Sequence, residues 1–238
     1  MNSNRQVSDI ESPAVGALIT WPRRYKLLTD VYFLGRAGSL TRELAAASGL
    51  GPGESALDIG CGPGRLVTEL ARLAGPHGRA VGLDPSAEMI DYAAAHAAPN
   101  CSFDLGAAQS LPYPDASFDV VTSTFAMHHI AEAERKTALE AMFRVLRPGG
   151  RLLLADTHPA TAGLRGLLIR AMARLAAHRA GNDGHDHGAG GQHEHGGESL
   201  STVDVRRYRS ALADLGFTAI AFRVGPYATG ILTAVKPD

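Results

Sequence analysis

The chain has 238 residues, 45% hydrophobic and 20% charged, with a formal net charge of -1, which fits one globular domain, or a domain with a small cap, able to bury a large core. That charge argues against a protein living on nucleic acid, because neutralising phosphates takes a concentrated Lys/Arg surface. Two cysteines, Cys61 and Cys101, are too few for a disulfide framework and form no Cys-x-x-Cys pair, which points to the reducing cytoplasm.

The first residues, Met1 to Pro22, contain an apolar run from Ala14 to Trp21 that ends in Pro-Arg-Arg without a small-residue cleavage site, so no secretory leader is expected. Nowhere do 18 apolar residues run together, and no transmembrane helix is predicted. Tyr25 to Ala47 reads as helical, with Leu27, Leu28, Val31 and Leu34, then Leu40 and Leu44, at spacings of three and four, interrupted by Gly35 and Gly38. The period then changes. Ser55 to Ile59 is a short apolar strand entering a glycine turn, and Arg65 to Ala74 is a helix stopped by Gly75-Pro-His-Gly78.

Ala80 to Leu83 is a second strand, followed by Asp84-Pro-Ser and a helix from Ala87 to Ala97. Asn100 to Leu105 and Phe118 to Ser123 are the third and fourth strands. Leu139, Met142, Phe143 and Leu146 mark one face of the next helix, which Pro148-Gly-Gly ends before a fifth strand over Arg151 to Ala155. Strand and helix alternate throughout, so the sheet should be parallel and covered on both faces. From Asp156 the rhythm breaks. Leu164, Leu167, Leu168, Ala171, Met172 and Leu175 form an apolar stripe interleaved with arginines, an amphipathic basic helix over 164–179. Val203 to Leu215 is again helical, and Phe217–Val224 with Thr229–Lys236 form a closing pair of strands. The short Gly225-Pro226-Tyr227 connection makes that pair antiparallel.

Of the 27 glycines, 7 fall between Gly181 and Gly197, together with 4 of the 10 histidines. His185, His187, His193 and His195 have the donor atoms for zinc, nickel or copper. Ordering so glycine-rich a loop is entropically costly, however, and no apolar anchor supports it, so the expectation is an exposed linker with no metal. The glycines at 60, 62 and 64 serve a different end, letting a ligand lie against bare backbone. Arg65 stands where a dinucleotide-binding Gly-x-Gly-x-x-Gly turn would need its third glycine.

Asp58, two residues before that turn, suits a cationic ligand better than a diphosphate. Asp84, at the end of the second strand, is placed to accept both hydroxyls of a ribose. Together they fit a nucleoside with a positively charged amino-acid tail, as in S-adenosylmethionine (SAM). Asp58-Ile-Gly-Cys-Gly-Pro-Gly64, Gly82-Leu-Asp-Pro-Ser-Ala-Glu-Met89, Leu111-Pro-Tyr-Pro-Asp-Ala-Ser-Phe-Asp-Val-Val121, His128-His129 and Leu146-Arg-Pro-Gly-Gly-Arg-Leu152 resemble, in order, the motifs of class I SAM-dependent methyltransferases. The chain is similar in particular to the small-molecule group that includes the ubiquinone/menaquinone biosynthesis C-methyltransferases.

That resemblance implies a Rossmann-like, doubly wound α/β fold with seven strands, mostly parallel with an antiparallel C-terminal strand. It implies a helical cap at 1–50, a SAM-binding core at 51–156, a lid helix and Gly/His-rich insert at 157–200, and a completing helix and strand pair at 201–238. Asp58, Gly60, Cys61, Gly62 and Gly64 are expected around the methionine tail, Asp84 and Pro85 at the ribose, and Met89 against the adenine. The family's acidic adenine contact is replaced here by Gly106-Ala-Ala-Gln109, leaving Ala107 or Gln109 to read the base. Ser123 and Thr124 either bond the amino-acid tail or cap the next turn, and Tyr25 either closes over the cofactor or packs in the core.

His129 and His158 are the candidate general bases, with His128 beside them, since histidine titrates near neutrality and all three follow strand ends. Their alternative is packing. The expected reaction is methyl transfer to a small O-, C- or N-nucleophile of aromatic, quinone-like or polyketide-like character, under the apolar face of the 164–175 helix. The basic face of that helix admits, as a weaker reading, contact with an anionic membrane surface. A rival is a SAM-binding or metal-responsive protein without catalysis, and oligomeric state is left open.

Overall fold

The computed structural model describes residues 35–158 and 203–238 together with Pro22, Thr29, Asp30 and Phe33. Tyr25, the 164–179 helix and the Gly/His tract lie outside the described residues.

Helix α1 (Ala37–Ala47) begins after Arg36, whose backbone is not helical, with Gly35 at φ +74° just before it. The expected helix from Tyr25 is therefore interrupted where the glycine allows a left-handed residue. Strand β1 (Ser55–Ile59) is buried at every position, as a strand covered on both faces must be. Helix α2 (Arg65–Ala74) buries Leu66, Val67, Leu70, Ala71 and Ala74 and stops at Gly75, φ +68°.

Strand β2 (Arg79–Asp84) leads to Ser86, which caps helix α3 (Ala87–Ala94) by accepting from the Met89 N–H at 3.3 Å. This helix ends three residues earlier than its expected limit at Ala97. Strands β3 (Cys101–Leu105) and β4 (Phe118–Thr124), helix α4 (Arg135–Val145) and strand β5 (Leu146–Thr157) follow. Strand β5 starts earlier than expected. Phe118 pairs with Leu146 but Val120 with Arg151, so Pro148-Gly-Gly bulges out of the ladder rather than preceding it. A short helical turn (Val205–Tyr208) and helix α5 (Arg209–Asp214) replace the single helix expected over 203–215, before β6 (Thr218–Gly225) and β7 (Thr229–Val235).

The seven strands form one sheet in the order β3-β2-β1-β4-β5-β7-β6, parallel except for β7, which runs antiparallel to β5 and β6. Alternate residues of the buried strands feed two cores. Leu57, Val121, Leu152 and Leu154 pack with α4, α5 and the 205–208 turn on one face, and Ala56, Val120, Leu153 and Ala155 pack with α1 and α2 on the other. The chain reverses its winding between β1 and β4, and ligands of open α/β sheets bind in the crevice at that point, outside the carboxyl ends of the strands.

Candidate functional site

The glycine turn after β1 is held down by β2. Both the Gly60 and Cys61 N–H groups donate to the Leu83 carbonyl, at 2.8 and 3.1 Å. Gly60 and Gly64 have φ of +71° and +77°, a region L side chains rarely occupy, and there is no room for a side chain at either. A Cβ at Gly60 would overlap Ala126 Cβ, and one at Gly64 would stand 2.8 Å from the Phe103 ring. Gly60 and Gly62 of the turn line the cleft without side chains, together with Cys61, Pro63, Asp58, Thr124, Phe125 and residues of α1.

Asp58 is 2% exposed, and among the described residues its carboxyl is bonded by the Thr122 hydroxyl alone, at 2.7 Å. Among the described residues no cation pairs with it. Burial raises its pKa to about 7, against the pull of the Thr122 bond and with a smaller push from Asp84. A carboxyl kept in that state lacks a positive partner, and an ammonium or sulfonium supplies one. Asp84 is also buried, and burial raises its pKa, although the Ser86 and Gly62 N–H groups bond it at 2.9 and 2.8 Å. Among the described residues each of its oxygens takes one donor, which leaves a second acceptor position for a hydroxyl.

The other expected cofactor residues fall into distinct roles. Met89 is 2% exposed on α3, next to the end of β2, while Ala107 and Gln109 are half-buried beyond β3. Pro85 and Thr124 are both half-buried, and Thr124 opens on the cleft. Ser123 is turned elsewhere, its hydroxyl donating to the Ile59 carbonyl at 3.0 Å. Burial pushes the Cys61 thiol well up, as do the carboxylates of Asp58 and Asp84, so this sulfur is a packing group beside the turn. Thr122, to which no site role falls from sequence, is the residue that holds Asp58. The signal that finds it is register, because Asp58 and Thr122 are partners across β1 and β4.

Toward β5 the histidines separate. The His128 Nδ1 lies 2.6 Å from Asp156 Oδ2, with Asp156 2% exposed. His129 is exposed, its ring 4.0 Å from that of His128. His158 is 5% exposed, and its Nδ1 has no hydrogen-bond partner among the described residues. Three aromatic rings stand beside the cleft, with Phe33 5.7 Å from Phe125 and 6.2 Å from Tyr227. Phe125 and Tyr227 both have φ +55°, a strained choice for large L residues that costs on the order of 1–3 kcal/mol each.

A glycine turn open on the cleft, a buried acid with no cation beside it among the described residues and a second acid at the end of β2 fit the amino-acid tail and ribose of SAM. Residues 56–150 match a family model described as a methyltransferase domain. The chain is 37% identical over 169 residues to the demethylmenaquinone methyltransferase of Deinococcus radiodurans, covering 68% of this chain and 69% of that protein. It is 34% identical over 155 residues to the ubiquinone/menaquinone biosynthesis C-methyltransferase UbiE of Hahella chejuensis, covering 63% and 61%. Across the first curated relatives it matches, the chain spans from 30% to 69% of their length. The crystal structure of a SAM-dependent methyltransferase from Aquifex aeolicus shares the fold, with a TM-score of 0.65, 19% identity, and coverage of 90% of this chain and 98% of that one. These relatives are methyltransferases, which disfavours a purely sensory or metal-responsive role. Motif order, sheet topology and kinship agree that the chain belongs to the class I SAM-dependent methyltransferases.

Proposed function

We propose that the enzyme transfers the methyl group of SAM to a small, flat, unsaturated acceptor held at the carboxyl edge of β4 and β5. The observation that carries this reading is Asp58, a buried carboxyl with no cation beside it among the described residues, next to a turn whose glycines open on the cleft. In this reading Asp58 and the 60–64 backbone bind the amino-acid tail, Asp84 and Pro85 the ribose, and Met89 with Ala107 or Gln109 the adenine. Thr124 flanks the tail.

Bound SAM supplies a methyl group already activated on a sulfonium. The protein's work is therefore to align the acceptor and exclude water, effects worth up to about 7–11 kcal/mol in model reactions. The Phe33, Phe125 and Tyr227 rings offer flat apolar surface for an aromatic or quinone-like acceptor. The demethylmenaquinone named for one relative and the ubiquinone/menaquinone biosynthesis named for the other point to the same class. A base helps where the acceptor atom carries a proton, by roughly 10²–10⁴-fold, and His129 and His158 are candidates at that edge.

Residues 1–50 then act as cap and 157–200 as acceptor lid, and two unpaired cysteines suit a cytoplasmic enzyme. Among the described residues no helix is long and apolar enough to cross a membrane. Calorimetry with S-adenosylhomocysteine (SAH) tests the proposal. Micromolar binding that D58A and D84A each abolish supports it, and binding that survives both substitutions contradicts it.

A further inference from the structure

The cleft between the glycine turn and α1 brings a single acid together with aromatic rings. Among the described residues that line it, Asp58 is the one carboxyl, and Arg65, the one cation, is already paired with Asp30 through two hydrogen bonds of 2.8 Å. Phe33 and the half-buried Phe125 line the same cleft. SAM brings two positive charges, an ammonium and a sulfonium, and Asp58 provides for only the first.

Phe125 stands close to where the second charge falls. Its neighbour Ala126 touches the glycine turn, since a Cβ built on Gly60 would lie 2.3 Å from the Ala126 Cβ. Asp58 pairs with Thr122 across β1 and β4, and Phe125 comes three residues later, just past the end of β4. Three bonds separate the ammonium-bearing carbon of SAM from its sulfur, which sets the two charges on the order of 5 Å apart, about one strand spacing. From Asp58 on β1, that reach extends to the end of β4, the adjacent strand.

Backbone preference does not explain a phenylalanine at this position. Its φ of +55° lies in the left-handed region, and its N–H donates to the Ala155 carbonyl at 2.8 Å, which holds the chain there. Glycine adopts such a backbone without strain, and a bulky residue rarely adopts it at all. Packing does not require an aromatic ring either. The contact with Phe33, with ring centres 5.7 Å apart and planes tilted by 57°, is one that an aliphatic side chain can fill. Strained residues cluster at binding sites, where the side chain has a task. A sulfonium has no N–H to give a carboxylate, whereas the face of an aromatic ring, negative through its quadrupole, attracts such a cation.

Resting on the function proposed above, we infer that the Phe125 ring lies against the sulfonium of SAM and distinguishes SAM from its product, SAH. Of the three rings beside the cleft, this one then serves the cofactor, and Phe33 and Tyr227 are left to the acceptor. Methyl transfer breaks the carbon–sulfur bond with its electron pair remaining on sulfur. SAH is therefore neutral at that atom, and the attraction ends with the reaction. Phe125 is a specificity-determining residue that loosens the hold on the cofactor once the methyl group has gone.

Calorimetry with SAM and, separately, with SAH tests this on the wild type and two variants. F125L keeps an apolar side chain and removes the ring, so SAM affinity should fall about 5–30-fold while SAH affinity stays within about threefold. Incorporating a ring-trifluorinated phenylalanine at position 125 drains the ring face of negative charge with little change of volume. It should weaken SAM binding in the same direction and again spare SAH, and it gives the answer even where F125L does not fold. The inference is overturned if F125L lowers the SAM and SAH affinities together, as lost packing alone would, or if the fluorinated protein binds SAM as well as the wild type does. Either result, with a wild type that binds both molecules, leaves the proposed function standing. A wild type that binds neither SAM nor SAH removes the proposed function itself.

Discussion

Replacing Asp58 by Asn should make the cofactor-free enzyme more stable and a worse binder, and the two effects should share one pH dependence. The folded-state pKa of Asp58 is raised from 3.8 to about 7 by burial. A raised carboxyl contributes its stability in full below pH 3.8 and loses it as the pH rises to about 7, because folding then holds an ionised group in an environment that disfavours it. Each pH unit in that window costs about 1.36 kcal/mol. Between pH 5 and pH 8 the wild type should therefore lose about 3 kcal/mol relative to D58N, every other titration being common to both chains. Urea unfolding of both proteins at the two pH values measures the difference. Asn retains an oxygen for the Thr122 hydroxyl but cannot offer a charge to an ammonium, so SAH affinity should fall by a factor of about 10–100, the worth of a hydrogen bond to a charged group. A D58N advantage that does not change between pH 5 and pH 8, or a D58N protein less stable than wild type at pH 8, would refute the reasoning.

Thr122→Val removes a hydrogen bond that favours the charged form of Asp58. The carboxyl should rise further and SAH affinity at pH 7.5 should drop about tenfold, as calorimetry would show. Gly60→Ala forces a left-handed backbone at about 1–2 kcal/mol and an overlap with Ala126 at about 1–3 kcal/mol. In urea unfolding, adding Ala126→Gly should restore only the second part. Asp119 tests a carboxylate of opposite sign. Burial works to raise its pKa, but the Ser55 N–H and hydroxyl and the Arg147 guanidinium outweigh it, and the carboxyl sits below its usual range. Its contribution is present above about pH 4 and lost as the pH falls through the lowered value. D119N should then cost about 1–3 kcal/mol at pH 7, and the gap from wild type should narrow on acidification toward pH 3.

The order of strands and helices, the glycine turn and both acids were legible in sequence, because each rests on local chemistry. Short apolar runs, positive-φ glycines and a carboxylate at a strand end need only their neighbours along the chain. What could not be read depends on contacts across the fold. Thr122 gains its role from pairing with Asp58, 64 residues away. His128 and His129 are indistinguishable as adjacent letters, and the tight turn at Met127–His129 with Asp156 from β5 separates them, one held and one exposed. Ser123, adjacent to the cleft in sequence, points its hydroxyl into the sheet because strand residues alternate faces. Pro148-Gly-Gly reads as a helix stop, yet the chain is already paired at Leu146, since a bulge lets β5 begin before those residues leave the ladder.

A crystal structure of the enzyme with SAH bound tests the central claim most directly. The account predicts the α-amino group against Asp58, the ribose hydroxyls on Asp84 and the tail along the Gly60–Gly64 backbone. Density for SAH anywhere else, or in this cleft with Asp58 and Asp84 both out of hydrogen-bond reach, would contradict it.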